Sequence, residues 1–368
     1  MPDSYISRQT KKDLLAKAEE YLPAEIHMFA AGRVGQKSME SSDVRKKLGL
    51  RKWERAEECA KENKQGGATT SGLLKAFYQY ESQPSATYRQ VLEDVRSRMK
   101  KAGYEHVTQL SSSRPIEDNE RFHILPKGKW GGKFTGRKRA LIIGINYKGS
   151  AIELPGCQND AWNMCRYLRE VHGFKDDDMT IMMDDGKFRL PTATNIKKAM
   201  YDFCFSLQPG DAAFFHFSGH GAQLGNSQVL FPVDEGFIDK SKNEFVEDKE
   251  IFRLMLLSLP KGVKLTAVVD CCHSGKMFDL PFQCLDEGHH NDIYEPRFRH
   301  AKYVPMERMR VESMMAIKMP LADMEEMILP PPKTWRERTL GEGWDDFWRK
   351  PKETRQIKNI SDDRSVSS

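Results

Sequence analysis

The chain has 368 residues, 39% hydrophobic and 10% aromatic, and carries a net charge of +5 from 58 basic against 53 acidic residues. It is apolar enough to bury a core and long enough for two or three compact units, which excludes a wholly disordered protein. The mixed charge argues against a nucleic-acid footprint, apolar runs far short of the roughly 20 residues that span a bilayer argue against a membrane protein, and seven cysteines without a CxxC pair argue against a disulfide framework or a zinc ribbon.

In chain order, Met1-Pro2-Asp3-Ser4-Tyr5 with Arg8, Lys11 and Lys12 lacks the apolar stretch of a secretory leader, so a cytoplasmic protein is expected. Residues 25–31 read as a short strand and 72–80 as a helix. Residues 88–101 read as an amphipathic helix with Val91, Leu92, Val95 and Met99 on one face, stopped by Gly103. A Gly- and Lys-rich linker follows at 126–135. Residues 139–146 form an apolar, β-branched run that predicts a buried strand. A helix opens at Asn159-Asp160 and closes at Gly173, and residues 178–183 give a second strand. Thr194 is expected to cap a helix over 195–207, before a third strand at 212–217, a helical segment at 252–259 and a fourth strand at 265–269. After Pro281 the pattern fades, and 352–368 reads as a disordered tail.

Strands alternating with helices predict an α/β fold, a mainly parallel central sheet with helices on both faces in three layers. In such sheets chemistry gathers beyond the carboxyl ends of the strands. Two of these ends stand out: Ser218-Gly219-His220-Gly221, and Asp270-Cys271-Cys272-His273-Ser274-Gly275. Thiol hydrolysis of an amide needs a thiolate-competent cysteine, an imidazole to move its proton and donors for the oxyanion. Cys272 and His220, 52 residues apart, supply the first two if their strands are neighbours. The backbone amides of Gly221 and Cys272 are the candidate oxyanion donors, since glycine lets the chain turn sharply and leaves its N–H bare.

These motifs, with Ala140-Leu141-Ile142-Ile143-Gly144-Ile145-Asn146-Tyr147, Leu154-Pro155-Gly156-Cys157-Gln158-Asn159-Asp160 and Asp279-Leu280-Pro281-Phe282, make the segment resemble the catalytic large subunit of metacaspases, cysteine proteases of caspase-like fold. The resemblance implies Cys272 as nucleophile and His220 as base. It also implies an unusual order of parts. The stretch with Ala31-Gly32, Gln36, Ser38 and Ser41, then Gly72-Leu73-Leu74-Lys75-Ala76-Phe77 and Gln109-Leu110-Ser111-Ser112-Ser113-Arg114, is similar to the small subunit, which thus precedes the large one. The chain is therefore similar to type III metacaspases, a permuted arrangement. It divides into an N-terminal extension (1–23), a small-subunit-like region (24–126), a linker (127–137), a catalytic region (138–282), a C-terminal extension of possible regulatory role (283–351) and a tail (352–368).

By the same resemblance Asp160, Asp270, Cys157 and Ser218 line the substrate pocket. Two carboxylates in a recess favour a cationic side chain, so the implied partners are proteins or peptides with Arg or Lys before the cut bond. Calcium is the implied cofactor, held by Asp248 with Glu247 or Glu250. Residues 224–231, where the family carries an acidic loop, contain no acid, and Lys249 stands where an acid is usual. A monomer without nucleic-acid or membrane partners is expected. Cleavage of the chain at Lys129, Lys133, Arg137, Arg297, Arg299, Lys302 or Arg308 is expected to be unnecessary for activity, because the two regions can pair within one chain. The competing readings are a catalytically silent caspase-fold scaffold, which would need neither Cys272 nor His220, and a caspase-like enzyme cutting after Asp, which an acidic pocket disfavours.

Overall fold

In the computed structural model, the described residues are 22–32, 66–81, 85–117, 119–126, 134–233 and 245–284, with isolated positions at 19, 40, 41 and 83. The expected N-terminal extension lies almost wholly outside them. So do Gln36, Ser38, Lys129, Lys133, Arg297, Arg299, Lys302, Arg308, all but the first two residues of the C-terminal extension, and the tail.

The strands are β1 (Glu25–Ala30), β2 (Glu40–Ser41), β3 (Gly66–Gly67), β4 (Gln109–Ser112), β5 (Lys138–Gly144), β6 (Met179–Met183), β7 (Ala212–Ser218), β8 (Gly221–Leu224), β9 (Ser227–Leu230), β10 (Val246–Glu247), β11 (Lys264–Asp270) and β12 (Phe282–Cys284). Seven of them form one sheet in the order β12-β4-β1-β11-β7-β5-β6. From β1 to β6 all neighbours are parallel, while β4 and β12 run antiparallel to their partners. Every residue of β7 and β11 is buried, which is why both read as unbroken apolar runs rather than alternating ones.

Helices α1 (Ala68–Glu81), α2 (Tyr88–Lys101) and α3 (Cys157–His172) cover one face, packing with Phe29, Ile142, Phe214 and Val268. On the other face α4 (Ala193–Phe205) and the segment from α5 (Asp248–Ile251) through the wide turns of Phe252–Leu256 pack on Leu141, Phe215, Leu265 and Ala267. This is the expected three-layer arrangement. The permuted order is also met: β1, from the N-terminal part of the chain, pairs in parallel with β11, with Glu25 opposite Lys264 and Ala30 opposite Val269. At the outer end of that pair the Lys264 ammonium, 1% exposed, hydrogen-bonds the Glu25 carboxylate.

Several element boundaries differ from the sequence expectation. The cap of α4 is Thr192, whose side chain accepts from the Asn195 N–H at 3.2 Å, and not Thr194, which is already helical. Helix α3 starts at Cys157, so Asp160 lies in its first turn rather than at its cap. The helical segment expected at 252–259 begins instead at Asp248, where acids favour a helix start. Phe282–Cys284 extends the sheet edge as β12, where no ordered element is expected from sequence, because three residues are too few for a periodic signal.

Candidate active site

Strands β7 and β11 are neighbours, with Ser218 opposite Asp270, so the motifs that follow them emerge side by side. The Gly219 N–H donates to Asp270 O at 3.3 Å and ties the two ends. Beyond them Gly221 lies directly against the cysteines: a Cβ there would meet the Cys272 carbonyl oxygen at 2.6 Å and Cys271 Sγ at 2.7 Å. Only glycine permits that approach. His220 and Cys272, and the candidate donors at Gly221 and Cys272, therefore share one corner of the sheet.

The two adjacent thiols differ in setting. Cys271 is buried, and burial pushes its thiol well above the usual range. Cys272 is only half-buried, so the more reachable residue of the pair is Cys272.

His220 is held at both ring and backbone. Its Nε2 lies 2.7 Å from the Ile152 carbonyl oxygen, which can only accept, so Nε2 carries the proton and Nδ1 holds the lone pair. Burial lowers the imidazole below its ordinary value, with the Ile152 bond opposing. A neutral ring is what a base needs. The His220 N–H donates to the Tyr147 hydroxyl at 2.9 Å, and the two rings lie 4.8 Å apart. Ile152 and Tyr147 belong to the loop after β5, and neither carries a residue-type signal for this role.

Asp160 and Asp270 converge on one short turn. Asp160 Oδ2 accepts from the Gly67 N–H at 2.7 Å and from Ser218 Oγ at 2.9 Å. Asp270 Oδ2 accepts from the N–H and hydroxyl of Thr70, at 2.8 and 2.7 Å. Both carboxylates are buried, at 1% and 4% exposure, and Cys157 is buried one helical turn before Asp160. The four residues expected to line a pocket thus sit together, under a lid of backbone from Gly66 to Thr70. That lid comes from the other half of the chain, which no local pattern could place there.

The acids expected to hold a cation are split. Asp248 Oδ2 accepts from the Gln228 N–H at 2.9 Å and its Oδ1 from the Lys249 N–H at 2.8 Å. Burial raises its carboxyl, and the Glu247 charge adds to that. Asp279 is raised by burial too, with the Lys276 charge opposing and the Asp248 charge adding to the rise. Asp279 was visible in sequence only as part of the Asp279-Leu280-Pro281-Phe282 run, and its backbone adopts a positive φ of 42°. Gln228 of β9 accepts from the Lys276 N–H at 2.9 Å through its Oε1, and its buried Nε2 has no hydrogen-bond partner among the described residues. Glu250 is committed elsewhere, to Lys197 at 2.8 Å and to the Glu247 N–H at 3.0 Å. Arg137 is likewise no open cleavage point. Its N–H donates to Asp211 at 2.8 Å and its carbonyl accepts from Ala212 at 2.8 Å.

Residues 138–281 match the family profile for the metacaspase, peptidase C14 domain. Metacaspase III c of Phaeodactylum tricornutum is 33% identical to this chain over 302 residues, covering 78% of this chain and 84% of that protein. Metacaspase-1 of Ajellomyces capsulatus is 43% identical over 165 residues, covering 42% of this chain and 45% of that protein, so this match spans less than half of the fungal relative. A solved structure, protein GSU0716 of Geobacter sulfurreducens, aligns over 38% of this chain and 52% of that one, at 26% identity and a TM-score of 0.30.

Proposed function

We infer, for a chain that belongs to the metacaspase family and is thus a cysteine-type endopeptidase, that it cuts after Arg or Lys with Cys272 as nucleophile and His220 as base, and that calcium activates it. The observation that carries this reading is the fixed tautomer of His220. With Nε2–H given to Ile152 O, Nδ1 is the nitrogen left to take the thiol proton.

The reaction then proceeds in two halves. The Cys272 proton moves to His220 Nδ1 and the sulfur attacks the carbonyl carbon of the cut bond. The amides of Gly221 and Cys272 receive the negative charge that develops on the oxygen. His220 passes its proton to the departing amine as the C–N bond breaks. Water, deprotonated by His220, hydrolyses the thioester and returns the free thiol.

Specificity for Arg or Lys is supported by Asp160 and Asp270, whose paired negative charge is stabilised by a cation and penalises an acidic side chain. For calcium, a hard cation that takes six or more oxygens, Asp248 and Asp279 form a fitting pair: two partly buried carboxylates that repel each other and would be relieved by a dication. Glu247 stands beside them, and water would complete the shell. In this reading the partners are peptides with Arg or Lys before the cut bond, and the protein acts as a cytoplasmic monomer. Among the described residues no helix is long and apolar enough to cross a membrane.

The test is hydrolysis of matched fluorogenic peptides ending in Arg, Lys or Asp, with calcium titrated and Cys272→Ala and His220→Ala as controls. Cleavage of the Arg and Lys peptides alone, rising with calcium and lost in both variants, is expected. Cleavage of the Asp peptide, or activity in either variant, overturns the reading.

A further inference from the structure

We propose that Tyr147 is a positioning residue for His220: its hydroxyl, bonded to the His220 backbone on one side and to Phe231 on the other, fixes the imidazole where it can take the Cys272 proton. The inference rests on the reading of His220 as the base.

The hydroxyl uses both of its bonding capacities. It accepts from the His220 N–H at 2.9 Å and donates to the Phe231 carbonyl oxygen at 2.6 Å. The Phe231 N–H in turn donates to His220 O at 3.1 Å. The tyrosine thus clamps the base of the β8–β9 hairpin, which leaves the sheet just after His220 and returns just before Phe231. β7 has ended at Ser218, so His220 lies outside the main sheet and its ladder no longer supports it. Its backbone would otherwise depend on the hairpin alone.

The ring of Tyr147 is 3% exposed and sits 4.8 Å from the imidazole. Burial pushes the phenol well above its usual range, so the oxygen keeps its proton and remains a donor to Phe231. The residue is also held in a backbone conformation that side chains other than glycine rarely adopt, φ 52°. Ser150 stabilises that turn, with its N–H and hydroxyl both donating to the Tyr147 carbonyl, at 3.1 and 2.7 Å. A phenylalanine would pack equally well, so a tyrosine held there against backbone strain points to the hydroxyl. The same loop presents the Ile152 carbonyl to the ring. One segment therefore grips His220 at both ends, and misplacement of a catalytic group by about 1 Å can cost on the order of a hundredfold in rate.

The experiment compares Tyr147→Phe with the intact protein in kcat, KM, thermal midpoint and the rate of Cys272 alkylation by iodoacetamide at neutral pH. A roughly tenfold or greater fall in kcat is expected, with KM within about twofold, slower alkylation and a midpoint within a few degrees. Installing 4-aminophenylalanine at 147, which can both donate and accept, restores kcat. Unchanged kcat and alkylation in Tyr147→Phe overturn the inference. So does a loss of kcat that the 4-aminophenylalanine protein, folded to the same midpoint as wild type, fails to recover. This second protein also decides the matter where Tyr147→Phe does not fold. His220→Ala separates the two levels: if it keeps full activity, the reading of His220 as base fails. If it is inactive while Tyr147→Phe is fully active, only the role of Tyr147 fails.

Discussion

The backbone N–H of Gly67 donates to the carboxylate of Asp160 across 93 positions of sequence, at 2.7 Å. A segment of the N-terminal part of the chain thereby reaches between the two acids that sit beside the ends of β7 and β11. With Thr70 on Asp270, it keeps two buried carboxylates hydrogen-bonded, which their burial requires.

Gly67→Ala should disrupt this turn. The added Cβ would lie 2.2 Å from Asp270 Oδ2 and 2.8 Å from Asp160 Oδ2, distances at which the buried carboxylates or the turn itself must shift. A stability loss of about 1–3 kcal/mol is expected, as for other overpacking changes, together with a higher KM for an Arg peptide. Chemical unfolding and steady-state kinetics check both.

Asp270→Asn keeps an oxygen for the two bonds from Thr70 and removes the charge. KM for Arg and Lys peptides should rise by at least about tenfold, the size of one lost charged contact, while the unfolding midpoint changes little. An unchanged KM would leave Asp270 as a structural anchor of the Thr70 turn only.

Asp248 and Asp279 predict a thermal response to calcium that is independent of catalysis. In the Cys272→Ala background, calcium at about 100 times its dissociation constant should add about 2.7 kcal/mol of stability. Asp248→Asn or Asp279→Asn should abolish that gain. In calcium-free buffer Asp248→Asn is expected to cost about 1 kcal/mol, because its amide nitrogen would face the N–H of Gln228 or Lys249. Glu250→Gln should retain the response, since Glu250 serves Lys197. Scanning calorimetry with and without calcium reads all three.

Acid should weaken the fold through two buried histidines. Burial lowers His216 to about 4, and burial and then the Lys138 charge lower His172 to about 4, against 6.5 when exposed. Between those values the unfolded chain binds more protons, so stability falls as pH drops from about 6.5 towards 4, by roughly 1.4 kcal/mol per unit for each ring. His220, also lowered by burial, places the acid limb of kcat/KM below about 6.5, because the base must be neutral. Urea midpoints and pH–rate profiles between pH 4 and 8 test both statements.

How much of this was legible in the sequence differs by residue. Cys272 and His220 stand out because each follows a short buried strand and is flanked by glycine, signals that survive without knowing the fold. Asp160, Ser218 and Asp270 followed from motif, and the structure brings them together. Asp279, Ile152 and Tyr147 were not legible in their roles. An acid in a loop, a main-chain carbonyl and a tyrosine after a strand carry no distinguishing residue type. Their partners lie 31 positions away for Asp279 with Asp248 and 68 and 73 away for Ile152 and Tyr147 with His220. The cap of α4 was misplaced by two residues because Thr192 and Thr194 are equivalent in composition, and only the chain's path selects the one whose hydroxyl meets Asn195.

The sequence by itself determined what is local: the buried runs of β5, β7 and β11, the amphipathic face of α2, and the thiol, imidazole and glycines waiting at the strand ends. Hydrophobic periodicity and turn chemistry act over a few residues, and they are written in neighbouring positions. Tertiary structure alone decided that β1 lies beside β11, that Gly67 enters between Asp160 and Asp270, and that Tyr147 braces His220. Each of these joins segments far apart in the chain, so it exists only once the order of strands in the sheet has set which strand ends meet.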